Sequence, residues 1–157
     1  MSKQINIKKI FLANSEINVM EPVNSLQSGD YTVSTEMNCK SEYDEITYNE
    51  EKIYMVALQF QIFAEVENEP MYNMYFSQNG FFTLKGYEHE EEIEALAIDC
   101  PQILMPYARL HAEYLTKNTG LAPTLIQDID FKEAYYKEIG KEYKRVLLMR
   151  ILFIHYL

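Results

Sequence analysis

Residues 53–66 read IYMVALQFQIFAEV. Tyr54, Val56, Leu58, Phe60, Ile62, Ala64 and Val66 all point to one face of an extended chain, while Gln59, Gln61 and Glu65 point to the other. That period of two is the pattern of a strand with one face in a core. Upstream, Tyr31, Val33, Thr35, Met37 and Cys39 alternate with Thr32, Ser34, Glu36, Asn38 and Lys40, which predicts a second half-buried strand. Downstream, Glu67-Asn68-Glu69-Pro70 turns the chain, and Tyr72, Met74, Phe76, Phe82 and Leu84 carry another strand up to Gly86. Such short connections predict antiparallel neighbours.

Further upstream, residues 5–12 (INIKKIFL) alternate until Lys8-Lys9, where the phase slips by one as at a bulge or a strand end. This reads as a first, edge strand. Between it and the second strand, EPVNSLQSGD (residues 21–30) is polar and turn-rich, with Val23 and Leu26 isolated in it, so it reads as an extended crossing loop.

After Gly86 the period changes. Ile93, Ala97, Cys100, Leu104, Tyr107, His111 and Tyr114 advance by steps of four and three, which predicts a helix over about 89–118 with one apolar stripe. Pro101 and Pro106 fall inside it, so it kinks or divides near Asp99-Cys100-Pro101. Asn118-Thr119-Gly120 ends it. Asp130-Phe131-Lys132-Glu133 places a capping oxygen and a glutamate three residues apart, the start of a second helix over about 131–155 with Phe131, Tyr135, Ile139 and Tyr143 on one side. The expected fold is α+β, a four-stranded antiparallel sheet (about 5–87) followed by two helices, in a single domain spanning residues 1–157.

Composition narrows the function. The chain has 157 residues, 48% of them hydrophobic, ample for a core, with only 5 Gly and 5 Pro. A net charge of -10 repels a phosphate backbone, so no nucleic-acid partner is expected. Cys39 and Cys100 match no metal or redox spacing and read as core residues of a reduced, cytoplasmic protein. No stretch reaches the roughly 18 apolar residues of a membrane span.

Nothing points to catalysis or to a cofactor. His89, His111 and His155 are scattered, and His111 reads as a hydrogen-bonded packing residue. Glu88, Glu90, Glu91, Glu92 and Glu94 cluster where a helix start favours carboxylates. There is no phosphate loop, nucleophile elbow or paired cysteine. What the chain has in excess is adaptable apolar surface: 13 Tyr, 8 Phe and 8 Met, with no Trp. Beside a sheet and a crossing loop, such residues suit a trough that accepts varied side chains of unfolded peptide.

The run Cys100-Pro101-Gln102-Ile103-Leu104-Met105-Pro106-Tyr107-Ala108-Arg109 resembles the C-P-x-I-L-x-P-Y-A-R signature of the SecB protein-export chaperones. Gly80-Phe81-Phe82-Thr83-Leu84-Lys85-Gly86 is similar to that family's G-x-F-x-x-x-G strand end, and Ala122-Pro123-Thr124-Leu125 with Asp130 to Tyr135 to its second-helix entry. The resemblance implies a SecB-like fold assembled as a homotetramer, a dimer of dimers with first helices between sheets. It implies an ATP-independent holdase that binds unfolded preprotein clients in a groove between sheet, crossing loop and second helix. Within that frame the groove residues are Leu26, Tyr72, Met74, Phe131 and Tyr135. Contact of the family with the motor SecA is through acidic residues near the end of the first strand, which Glu16 matches, and through an apolar-acidic patch on the fourth, in whose place this sequence has Asn73 and Tyr75.

Three roles stay open: a general export chaperone, one dedicated to a single client such as an antitoxin, and a scaffold or adaptor without chaperone activity. The end of the chain, VLLMRILFIHYL (146–157), is apolar at ten of twelve positions. It reads either as a continuation of the second helix buried in the oligomer, or as a segment that fills the protein's own groove or docks on a partner.

Overall fold

The computed structural model describes residues 2–20, 33–120 and 124–144, with side chains up to Glu138. Four strands, β1 (Gln4–Val19), β2 (Val33–Tyr48), β3 (Glu51–Val66) and β4 (Glu69–Lys85), form one antiparallel sheet in the order β1-β4-β3-β2. At about 3.3 Å per residue, strands of 16 or 17 residues make a sheet roughly 50 Å long. Helices α1 (His89–Ala97), α2 (Asp99–Asn118) and α3 (Phe131–Lys144) follow.

Two-residue turns set the register of β2, β3 and β4. Asn49-Glu50 and Glu67-Asn68 all have positive φ (49°, 63°, 48° and 64°), the mirror-image turn whose twist matches the strands it joins. Because β1 pairs with β4 rather than with β2, the connection between Met20 and Val33 joins opposite edges of the sheet. The predicted crossing loop itself lies outside the described residues, as does the segment 146–157.

The slip at Lys8-Lys9 is a bulge: the β1–β4 register shifts between Ile7 and Lys9, and again between Leu12 and Asn14. β1 therefore does not end at Leu12 but runs on to Val19. Read through both bulges, Ile5, Ile7, Ile10, Leu12, Ile17 and Val19 keep to one face. β2 likewise continues past Lys40 to Tyr48, because β3 supplies a full-length neighbour.

The core lies between β3, β4 and the helices. Every even-numbered residue from Tyr54 to Val66 is buried, as are Tyr72, Met74, Phe76 and Phe82. Of the two outcomes expected for the first helix, a kink or a division, the structure shows the division: two helices separated at Ile98, three residues before Pro101. Pro101 sits in the first turn of α2, where no intrahelical donor is needed. The face of α2 also differs from the expected stripe: Cys100, Leu104, Ala108, Ala112 and Thr116, each four residues apart, are wholly buried, whereas Tyr107 (47% exposed) and Tyr114 (64%) face away. The every-fourth-residue row is one of the inclined ridges by which helices pack, and this helix uses it. That row is mostly small, so α2 approaches β4 closely. A Cβ on Gly80 would stand 2.7 Å from the Phe82 ring and 3.0 Å from Leu104.

Candidate functional site

The predicted groove residues that the structure describes lie along one seam, between the sheet and the helices, but at separate places: Tyr72 and Met74 toward one end and Tyr135, beside Tyr43, toward the other. Tyr72 and Met74 project from β4 toward the helices, Met74 wholly buried and Tyr72 nearly so. Phe131 and Tyr135, one turn apart on α3, are buried as well, Phe131 within the same core. Leu26 lies outside the described residues. In this conformation the four side chains are packed by the chain's own neighbours: the connection reaches Tyr72 through Thr124, and α3 packs against α1 and α2.

Polar ties hold the connection in place. The Tyr72 hydroxyl is hydrogen-bonded to Thr124 Oγ1, and the Thr124 amide donates to Thr116 Oγ1 at 3.1 Å. Thr116 in turn donates to the Ala112 carbonyl at 3.0 Å, closing a buried chain of bonds from β4 through α2 to the start of the connection. Burial raises the Tyr72 pKa, so its proton remains available to this network. Arg109, the last residue of the ten-residue motif, donates from Nε to the Ile126 carbonyl at 3.2 Å and pairs with Asp128 through its guanidinium.

At the head of α3 the Asp130 carboxylate accepts the Glu133 amide at 2.9 Å, the expected cap. One turn further on, the Tyr136 hydroxyl donates to Glu94 on α1. The rings of Tyr135 and Tyr136 stand edge to face at 5.3 Å. At this same end of the seam Tyr43, close to Tyr135, packs on Tyr54 at 6.4 Å, and the Tyr54 hydroxyl donates to Glu92 at 3.1 Å. Burial, with Glu92 close by, raises the Tyr54 pKa.

None of this has the chemistry of a catalytic centre. The Cys39 and Cys100 thiols are pushed up to about 12 by burial and stay protonated. His111 is half-buried, with Nε2 2.7 Å from Ser15 Oγ on β1 and its ring edge-on to Phe76, as a packing histidine. Among the described residues no group of three or more His, Cys, Asp or Glu could hold a metal, and no helix is long and apolar enough to cross a membrane. The glutamates at the start of α1 are used locally: Glu91 accepts the Glu88 amide at 2.9 Å and pairs with Lys3 at 2.7 Å.

Glu16 is exposed on the face of the sheet away from the helices, directly opposite Tyr75 on β4, with Asn18 opposite Asn73 next to it. The roles of Arg109, Thr116 and Thr124 escaped the sequence reading. Thr116 was accessible to it as the next member of the row Cys100, Leu104, Ala108 and Ala112. The partners of Arg109 and Thr124 depend on how the connection folds back, which no local pattern encodes.

A family profile described as preprotein translocase subunit SecB matches residues 1–142. The chain is 32% identical over 92 residues to a protein-export protein SecB of Chelativorans sp., covering 59% of this chain and 55% of that protein. It is 26% identical over 127 residues to that of Mesorhizobium japonicum, covering 80% and 62%. It thus spans somewhat over half the length of these relatives. The fold is similar to that of a SecB-like chaperone of Mycobacterium tuberculosis, solved in complex with a peptide from an antitoxin, with a TM-score of 0.66 at 16% identity over 80% of this chain and 90% of that one. The profile match over nearly the whole chain, together with a shared order of four strands and following helices, makes this protein a member of the SecB family.

Proposed function

We propose that the protein is an ATP-independent holdase that binds unfolded polypeptides, and that its clients include proteins destined for export. The observation that carries this reading is the SecB profile match over residues 1–142, on a fold whose sheet–helix seam buries Tyr72, Met74, Phe131 and Tyr135. Aromatic rings and a flexible methionine accommodate many side-chain shapes. Each client side chain that buries ~100 Å² of apolar surface there contributes about 2.5 kcal/mol, and several along one chain add up to useful affinity. A folded protein presents no such strip. The reading places the protein in the cytoplasm, where preproteins await export and free thiols persist.

Self-association belongs to the same proposal. Tyr107, Leu110 and Tyr114 stand exposed in a row on α2, with Ile7 and Leu12 exposed on the neighbouring strand β1, and a second copy covering them would bury that surface, as a dimer of dimers does. SecA is proposed to contact the helix-free face around Glu16 and Tyr75. A second reading, service to one dedicated client, is favoured by the fold shared with a chaperone solved with an antitoxin peptide.

Light scattering of several unrelated chemically unfolded proteins, diluted into buffer with and without the protein, tests the proposal. Suppressed aggregation of most of them, without nucleotide, is expected of the general holdase. Protection of a single one points to the dedicated form. No suppression of any at molar excess rules the chaperone reading out.

A further inference from the structure

We infer that two copies of this chain pair through antiparallel α2 helices, with Lys117 of each copy seated in a cleft of the other and paired there with Asp99. The inference rests on the self-association reading above, and adds to it the orientation, the register and the residues that fix both.

The cleft, of about 530 Å³, lies at the head of α2 and is lined by Ile5, Tyr87, Asp99, Gln102 and Ile103. Two apolar side chains and a ring suit the stem of a long side chain, and a carboxylate suits a cation at its tip. Asp99 is exposed, and among the described residues no cation pairs with it. Partial burial, with Glu94 close by as a like charge, raises its pKa. Lys3, 5.9 Å from the centre of the Tyr87 ring, is already paired with Glu91 at 2.7 Å. The corner therefore holds more negative charge than positive.

Lys117, in the last turn of α2, is also exposed and pairs with no anion among the described residues. It lies about five whole turns, or about 27 Å, along the helix from Asp99, so the two stand on one line but cannot meet within one chain. That line borders the stripe of half-buried Ile103 and exposed Tyr107, Leu110 and Tyr114, and the stripe and the two charges are both centred near Ala108. A two-fold axis across α2 at Ala108 keeps each residue on its own side of the interface and reverses its position along the helix. It lays stripe on stripe and brings Lys117 of each copy level with Asp99 of the other. Parallel helices would set like charges against each other. Opposite charges at the two ends of an apolar stripe thus favour a second copy as its occupant.

Sedimentation of the unmodified chain, of Asp99→Lys, of Lys117→Asp and of an equimolar mixture of the two variants tests the inference. Each variant alone places like charges together at both ends, and its dissociation constant for self-association is expected to rise at least tenfold. In the mixture every lysine meets an aspartate of the other variant, and association is expected to return to within about threefold of the unmodified chain. A purely local role of either charge at its helix end gives no recovery on mixing. Orientation is read separately, in a Cys39→Ser background: a short bismaleimide is expected to link copies of the Asp99→Cys, Lys117→Cys double variant, but not of Asp99→Cys alone.

Unchanged association of the charge variants, or no recovery on mixing, overturns the inference while leaving self-association through α2 intact, which Leu110→Asp tests by itself. Linkage of Asp99→Cys to its own copy, or none in the double variant, overturns it as well. An unmodified chain that is monomeric at micromolar concentration overturns the self-association reading, and this inference with it.

Discussion

His111 shows how one side chain reports on the packing around it. Its imidazole is held between Ser15 of β1 and the Phe76 ring of β4, and burial lowers its pKa. No charged side chain of β1 or β4 bonds it, so the neutral ring is the form the fold favours. A base with a depressed folded pKa contributes stability above its unfolded value, about 6.5, and that contribution is lost as pH falls through this value toward the folded one. Urea midpoints should therefore be level above about pH 7 and decline from about 6.5 downward. His111→Gln should flatten the decline between about pH 6.5 and 5.5, above the range of ordinary carboxylates. An unchanged slope in that variant would show that other groups set the acid limit. The packing role of His111 was legible from its place on an apolar stripe. Its partner Ser15 was not, because two bulges in β1 separate it from any simple alternation.

At the scale of elements, the hairpins carry the least optimised residues. Asn49 and Glu50 both adopt positive φ, and a left-handed backbone costs a side-chain-bearing residue about 1–2 kcal/mol. Asn-Gly is the favoured pair for this turn, so Glu50→Gly should raise the free energy of unfolding by about 1 kcal/mol, less the entropy of the added glycine. Thermal or urea denaturation checks it. A fall in stability would mean that the Glu50 side chain does more than its conformation suggests. The helix boundary at Ile98 belongs to this scale too. Pro101 announced it from the sequence, since a proline is tolerated in a first turn and disfavoured later. The face that α2 buries was misjudged, because a heptad-like spacing of apolar residues hid the four-residue row of small ones beneath it.

At the scale of the whole molecule, the seam and the exposed stripe lie on different surfaces of the helical layer. Leu110, 65% exposed on α2, is free of the seam. Leu110→Asp should leave the fold and its far-ultraviolet spectrum unchanged while reducing the particle mass in sedimentation at least by half. A particle of unaltered mass would place the self-association surface elsewhere. The proposed assembly and the proposed client site are thereby separable. A monomeric variant that still prevents aggregation would show that one protomer carries a complete seam, whereas loss of both together would show that the site is shared between copies.

The amino-acid sequence determined the strands, helices and their order, since these follow from periodicity, turn residues and caps that act over a few positions. It also marked Tyr72, Met74, Phe131 and Tyr135 as apolar side chains that the fold buries, because aromatics and methionines on one face stand out against their polar neighbours. Only the tertiary structure decided that β1 lies beside β4, that α2 turns its tyrosines outward, and that the connection folds back so that Thr124 reaches Tyr72 while α3 packs on α1 and α2. Those outcomes depend on which of several compatible surfaces pack together. Arg109 reaching Asp128, Tyr72 reaching Thr124 and Tyr136 reaching Glu94 join residues 19 to 52 positions apart, and each bond exists because the backbone first brought its ends within reach.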